Sequence, residues 1–413
     1  MKKTIILILI GLGLIVLVQE FLMKKKKSQP FAPKPYVVML SLDGFRWDYQ
    51  EKATTPTLDY ITKHGVKADG LQPAFPSKTF PNHYTIATGL YPGNHGLISN
   101  SFYAPDLNQY YSIRDRSKVE NGKFYGGEPI WVTAEAQQVK TGSYFWVGSE
   151  AKIKGYRPTY WKRYDHKFPY LQRVDSVINW LSKPYAERPK LITWYLDKTD
   201  GIGHKYGPES KELSNTVFML DSVIGYFLDE IKKLDIKDSV NFIVVSDHGM
   251  QAIDTNKVVC LSKHIKSQWI DTLIGGNPFI LLYPEKNCKD SILNKLNSVN
   301  GVSAWAKEDI PDRYHLKQNN RVPQIVIVAN EGWSVQANSH RKIYPGGTHG
   351  YDNTISDMNG IFYAIGPNFK QNYKAGQLYN TDIYNLIAEI LKIKPAPNDG
   401  DSKRIFHVLK ETE

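Results

Sequence analysis

Tyr36-Val37-Val38-Met39-Leu40-Ser41-Leu42-Asp43-Gly44 is an apolar, β-rich run that ends on an acid and a glycine. A run with little polar alternation reads as a strand buried on both faces, and Asp-Gly as the turn that leaves it. Residues 142–147, 191–196, 240–245 and 361–365 repeat the pattern. Between them lie helical stretches at 55–63, stopped by Gly65, at 81–88, ended by Gly89, and at 170–181 and 209–233. Buried strands alternating with helices predict an α/β fold, with a mostly parallel central sheet flanked by helices. From about 260 to 345 the rhythm changes to strand (278–283), helix (289–299) and strands again (302–307 and 323–328). That stretch is expected to form a smaller α+β insert.

Three acids follow predicted strands: Asp43, Asp247 and, a few residues further on, Asp200. Ligands of α/β sheets collect at the carboxyl ends of the strands, so these acids should converge. A lone Asp in such a place is more often a cap or turn former. Histidines change the balance. Asp200-Gly201-Ile202-Gly203-His204 sets a carboxylate and an imidazole four apart on what reads as a glycine-bearing loop. Asp247-His248 sets them side by side, and Gly346-Gly347-Thr348-His349-Gly350 puts a third His where backbone can approach closely. Mixed carboxylate and imidazole donors suit Zn²⁺, and a set of this size suits two ions. His83 is expected to make structural hydrogen bonds. His64, His95, His166, His264, His315, His340 and His407 read as surface or packing residues.

Phe75-Pro76-Ser77-Lys78-Thr79-Phe80-Pro81-Asn82-His83-Tyr84 carries a hydroxyl, Thr79, at the start of a helix whose first turn accommodates Pro81. A free threonine hydroxyl is a poor nucleophile near neutral pH. Coordination to a metal cation lowers the pKa of an oxygen ligand by many units. Helix N-terminal amides and the dipole also favour the negative charge of a phosphoryl group. A purely capping Thr79 is the competing reading, and the two roles are compatible. Together these residues read as a two-metal hydrolase with a threonine nucleophile.

Further motifs add to this set: Gly89-Leu90-Tyr91-Pro92, Gly127-Glu128-Pro129-Ile130-Trp131, Gly203-His204-Lys205-Tyr206-Gly207-Pro208 and Pro395-Ala396-Pro397-Asn398-Asp399-Gly400. With Ser41 to Arg46, Lys78 to Tyr84, Ser246 to Met250 and Gly347 to Gly350, they resemble the nucleotide pyrophosphatase/phosphodiesterase family of the alkaline phosphatase superfamily. The resemblance implies an alkaline phosphatase-like core and two zinc ions. It assigns Asp43, Thr79, Asp247 and His248 to one ion, and Asp200, His204 and His349 to the other. It also implies attack by Thr79 on a phosphodiester or pyrophosphate, a phosphothreonine intermediate, and release of nucleoside 5′-monophosphates. Phe80 and Tyr164 would stack the base, and Asn100 would bind a phosphate oxygen. Some members instead cleave choline or lipid phosphodiesters. A phosphomonoesterase on the same core would want cations such as Lys162 and Arg163 near the phosphate. The usual Pro before the Asp200 position is Thr199 here, and the Cys-rich repeats and nuclease-like domain of animal members have no counterpart.

The chain has 413 residues and a net charge of +11, of which +5 lies in residues 1–27. The remaining positive field favours anionic substrates, and no basic helix or base-reading motif points to nucleic acid. Met1-Lys2-Lys3 and the apolar run from Thr4 to Val18 read as a signal peptide or an N-terminal membrane anchor of an exported protein, periplasmic or extracellular. Residues 28–35 then form a linker, and 36–413 the catalytic domain. Cys260 and Cys288 lie outside any CxxC pair, which argues against a thiolate metal site; bonded and free thiols both remain open.

Overall fold

The computed structural model describes residues 35–411 except Arg341. The expected signal peptide or anchor (1–27) and nearly all of the linker lie outside the described residues. The opening run is strand β1 (Tyr36–Leu42), buried throughout. The main sheet continues with β2 (Val66–Lys67), β3 (Thr141–Tyr144), β4 (Tyr160–Lys162), β5 (Leu191–Leu196) and β6 (Val240–Val245). A second sheet follows, made of β7 (Ile270–Gly276), β8 (Phe279–Pro284), β9 (Val302–Ala306) and β10 (Ile325–Ala329). The chain then returns to the main sheet with β11 (Phe362–Ile365) and β12 (Tyr373–Lys374).

The main sheet runs β12-β2-β11-β6-β1-β5-β3-β4. Strands β6, β1, β5, β3 and β4 are mutually parallel, whereas β11 is antiparallel to both its neighbours. The α/β class and the mostly parallel sheet are therefore as expected. Alternate residues explain the apolar runs. Val37 and Met39 of β1 pack into one core, and Val38, Leu40 and Leu42 into the other. Helices cover both faces: Tyr84 and Ile86 of the helix Thr79–Thr88 pack on the first side, and Leu220, Ile224 and Phe227 of the helix Lys211–Ile231 on the second.

Among the helices are α1 (Pro56–His64), α2 (Thr79–Thr88), α3 (Tyr170–Leu181), α4 (Lys198–Tyr206) and α5 (Lys211–Ile231). Three expectations need correction. The expected helix over 209–233 starts at Lys211, where Ser210 Oγ accepts the Leu213 N–H at 3.2 Å. The expected loop from Asp200 to His204 is instead the body of α4. Gly203 packs closely there, since a Cβ on it would stand 3.1 Å from the Met250 methyl. Helix α2 begins two residues earlier than expected, so Pro81 sits third, still in the turn whose N–H groups have no intrahelical acceptor.

In the second sheet, ordered β7-β8-β10-β9, every neighbouring pair is antiparallel. Phe279, Leu281, Val326 and Val328 on one face join the main core, while Ile280, Leu282, Ile325 and Ile327 on the other form a third cluster. Cys260 and Cys288 are free thiols. Among the described residues no helix is long and apolar enough to cross a membrane.

Candidate active site

Ser41 of β1 pairs with Tyr195 of β5 on one side and Val245 of β6 on the other. The three strand ends are therefore adjacent. Asp43 and Asp247 leave two of them, and Asp200 comes in the first turn of α4, just past the third. Gly44 brings the segments together. Its φ is +63°, and a Cβ there would stand 3.0 Å from Asp200 Cα. Its N–H donates to Asp247 Oδ1 at 3.1 Å. A side chain would strain the turn and push Asp200 away.

One oxygen of Asp43 is held, Oδ2, which accepts from Tyr195 Oη at 2.5 Å. Asp43 Oδ1, Asp247 Oδ2 and Asp200 Oδ1 are buried without a hydrogen-bond partner. A single such atom costs roughly 1–3 kcal/mol, more if charged, so three together call for a cation.

The imidazoles complete the donor set. His204, His248 and His349 each direct Nδ1 at a main-chain carbonyl, those of Gly347, Gly249 and Ser77, all at 2.8 Å. A carbonyl only accepts, so Nδ1 carries the proton and the Nε2 lone pair is left for a ligand. Those Nε2 atoms face the carboxylates. His248 Nε2 lies 3.1 Å from Asp247 Oδ2 and 3.5 Å from Asp43 Oδ1. Asp200 Oδ1 has His204 Nε2 at 3.2 Å and His349 Nε2 at 3.5 Å. Two clusters with ligand atoms within 4.8 Å result, Asp43-Asp247-His248 and Asp200-His248-His349. The expected division gave His248 to one ion only, whereas its ring stacks on His349 at 3.5 Å and reaches both groups. His204 is outside both of these groups, with its Nε2 on Asp200 and its ring 5.0 Å from that of His349.

Electrostatics agree with a cation-binding centre. Burial, with Asp247 and Asp200 adding like charge, pushes the Asp43 carboxyl well above the usual range. Burial also keeps the His349 imidazole neutral, helped by His248 and Lys78.

Thr79 is the first residue of α2, with Lys78 as the cap residue and no side-chain cap bond. Its Oγ1 lies 3.2 Å from His248 Nε2, inside the ligand ring. The hydroxyl therefore faces the cluster instead of capping the helix. Asn100 Oδ1 accepts the Phe80 N–H at 3.0 Å, which leaves the Asn100 amide as the donor end. His83 contacts Ser41 Oγ at 2.9 Å and Thr79 O at 3.0 Å, and its Nδ1 also lies 3.2 Å from Asp247 Oδ2.

A cavity of about 480 Å³ opens over the cluster, and Thr79, Phe80, Asn100 and Tyr164 all line it. The Tyr164 ring lies 5.3 Å from Phe145 and 6.1 Å from Tyr195. Lys162 and Arg163 are exposed and are not among the lining residues. Arg163 Nε is instead engaged with Glu120 at 2.7 Å.

Comparison with known proteins gives the family. The family described as type I phosphodiesterase/nucleotide pyrophosphatase matches residues 37–352, a span containing all seven candidate ligands. The chain belongs to that family. A venom phosphodiesterase of Naja atra is 36% identical over 387 residues, covering 91% of this chain and 46% of that protein. Ectonucleotide pyrophosphatase/phosphodiesterase family member 1 of Homo sapiens is 34% identical over 388 residues, covering 91% and 42%. The chain thus spans about half the length of these curated relatives. Mouse ectonucleotide pyrophosphatase/phosphodiesterase 5, solved as an inactive Thr-to-Ala variant in complex with AMP, superposes with a TM-score of 0.87 at 33% identity. That match covers 91% of this chain and 100% of the other.

Further residues of this family member shape the site. Lys78 Nζ donates to His349 O at 2.8 Å, tying the Thr79 segment to a ligand loop, and burial lowers its ammonium to about 8. Thr199, where relatives were expected to carry Pro, donates its hydroxyl to the Asp43 carbonyl, a bond Pro cannot make. Phe145 has a φ of +73°, rare for a bulky residue, and ends β3 three residues short of the expected 147. From there Phe145, Trp146, Val147 and Gly148 run along the cavity wall.

Proposed function

We propose that this chain is a zinc-dependent phosphodiesterase and pyrophosphatase of nucleotides and their derivatives, releasing nucleoside 5′-monophosphates. The observation that carries the reading is a threonine hydroxyl set among three partnerless carboxylate oxygens and three imidazole Nε2 atoms. Asp43, Thr79, Asp247 and His248 would hold one Zn²⁺, and Asp200, His204 and His349 the other. When bound, the ions supply a lowered hydroxyl pKa and charge stabilisation at the attacking and leaving oxygens.

The chain's own residues account for the rest. Thr79 Oγ1 attacks phosphorus, and the leaving oxygen departs with its alcohol or phosphate. The nucleotidyl group stays on Thr79 as a phosphothreonine ester until water attacks phosphorus and restores the hydroxyl. The Asn100 amide donates to a non-bridging oxygen, and the helix N-terminus adds its dipole. Phe80 and Tyr164 offer rings to a base, a role that AMP bound to the mouse relative supports. Export is part of the proposal, consistent with relatives named as venom and ectonucleotide enzymes and with residues 1–27.

The substrate panel tests the reading. With Zn²⁺ added, the nitrophenyl ester of thymidine 5′-monophosphate should turn over faster than nitrophenyl phosphate, because Lys162 and Arg163 stand off the cavity. Faster monoester cleavage would overturn it. Glycerophosphocholine belongs in the panel, since Phe145, Tyr164 and Tyr195 beside Asp197 form an aromatic and acidic wall that suits a quaternary ammonium. Asn100→Ala should lower kcat about 10²-fold, the usual cost of one oxyanion donor. An unchanged kcat would remove Asn100 from the phosphate.

A further inference from the structure

His83 is none of the candidate ligands, yet it meets three of the segments that carry them. It sits in α2, one helical turn after Thr79, and is fully buried. Its Nδ1 is 3.0 Å from the Thr79 carbonyl oxygen and 3.2 Å from Asp247 Oδ2. Its Nε2 is 2.9 Å from the hydroxyl of Ser41, which precedes Asp43 by two residues on β1. The ring also stands edge-on to that of Tyr195, 5.1 Å away, whose hydroxyl holds Asp43. The His83 carbonyl accepts the Trp146 indole N–H at 3.0 Å, which fixes this residue from behind.

These contacts fix the tautomer. A carbonyl and an ionised carboxylate only accept, so the proton belongs on Nδ1. Nε2 then carries a lone pair, and the Ser41 hydroxyl, free to rotate, donates to it. The opposite tautomer would set the Nδ1 lone pair against two oxygens at once. The Nδ1 N–H bonds to the Thr79 carbonyl. It is not aligned for a hydrogen bond to Asp247 Oδ2, but it brings its positive end close to that carboxylate. Thr79 belongs to α2, whereas Asp247 follows β6, and this one donor lies between them. A buried polar ring is costly unless its partners are in place, and here each nitrogen has one.

We propose that His83 is a positioning residue: its Nδ1 proton, kept there by Ser41, holds the first turn of α2 and Asp247 at the spacing that lets Thr79 and Asp247 share one cation. This rests on the reading of Asp43, Thr79, Asp247 and His248 as one cation group. His83 acts through Thr79 and Asp247, and partners of this kind behind a ligand set its orientation and hence metal affinity. A packing role alone would need only the ring volume and the Ser41 contact, and would be indifferent to a donor at the δ position.

The test separates the two ring nitrogens. Asparagine places its amide nitrogen close to the Nδ1 position, and glutamine close to the Nε2 position. Both lose ring volume, so both should melt below wild type in chelator. Zn²⁺ affinity, measured on the metal-free chain against a chromogenic chelator, should part them. His83→Gln should weaken one Zn²⁺ about 10- to 100-fold, the usual cost of a lost partner behind a ligand, and His83→Asn less than about tenfold. Turnover of the nitrophenyl ester of thymidine 5′-monophosphate should follow the same order. Ser41→Ala keeps the ring and frees its tautomer, so it should weaken the same ion, a result that stands even if neither His83 variant folds. Unchanged affinity in Ser41→Ala, or binding by His83→Gln no weaker than by His83→Asn, would overturn the assignment. A wild type that binds no Zn²⁺, or turns over equally without it, would instead remove the cation reading on which the assignment rests.

Discussion

Thr79→Ala is expected to remove phosphodiester turnover, by a factor on the order of 10⁴–10⁶, while the chain stays folded. The loss is large because no other hydroxyl occupies that position. Hydroxyls beside the ligands are otherwise committed: Tyr195 Oη donates to Asp43 Oδ2 and Ser246 Oγ to the His248 carbonyl. The fold should survive because Thr79 makes no helix-cap bond and only part of it is buried. Its replacement should shift stability by less than about 1 kcal/mol. Steady-state assays beside thermal melting check both halves. Thr79→Ser, which keeps the hydroxyl, should restore a substantial part of the rate. Retained activity in Thr79→Ala would take the residue out of the chemistry.

Removing bound metal should abolish turnover and also lower the melting temperature. Asp43, Asp200 and Asp247 each present a buried, partnerless oxygen into one small volume. Without a cation their mutual repulsion and desolvation are uncompensated. A ligand at a thousandfold excess over its Kd stabilises by about 4 kcal/mol, so chelation should cost a comparable amount per site. Prolonged dialysis against a chelator, followed by melting and assay with and without restored Zn²⁺, measures it. A melting temperature indifferent to chelation would contradict the donor set proposed here. Asp247→Ala should behave as the chelated protein does even with Zn²⁺ present, since Asp247 also orders Gly44 through its N–H.

The strands were legible because both faces of β1, β5 and β6 are buried, which writes an apolar run directly into the sequence. The acids at their ends were legible for the same reason: strand ends in a parallel sheet are adjacent wherever the intervening chain goes. Helix α4 was not. Two glycines, each costing about 1 kcal/mol in a helix, argue for a loop. Helical spacing nevertheless sets Asp200 and His204 on one face, and Gly203 lets Met250 approach closely. The charged lining of the cavity was invisible too. Glu150, Arg116 and Asp197 are single charges in loops or short elements, with no periodicity to mark them. Only the fold brings them to one wall. The positive φ of Phe145 that steers that wall likewise has no sequence signature.

The central claim is that Thr79, not water, attacks the substrate phosphorus. The stereochemical course of the reaction tests it most directly. One diastereomer of a nucleoside 5′-phosphorothioate nitrophenyl ester would be hydrolysed in ¹⁸O-labelled water and the configuration at phosphorus determined. Two successive in-line displacements, onto Thr79 and then onto water, predict net retention. Net inversion would mean a single attack by water, and would contradict the account.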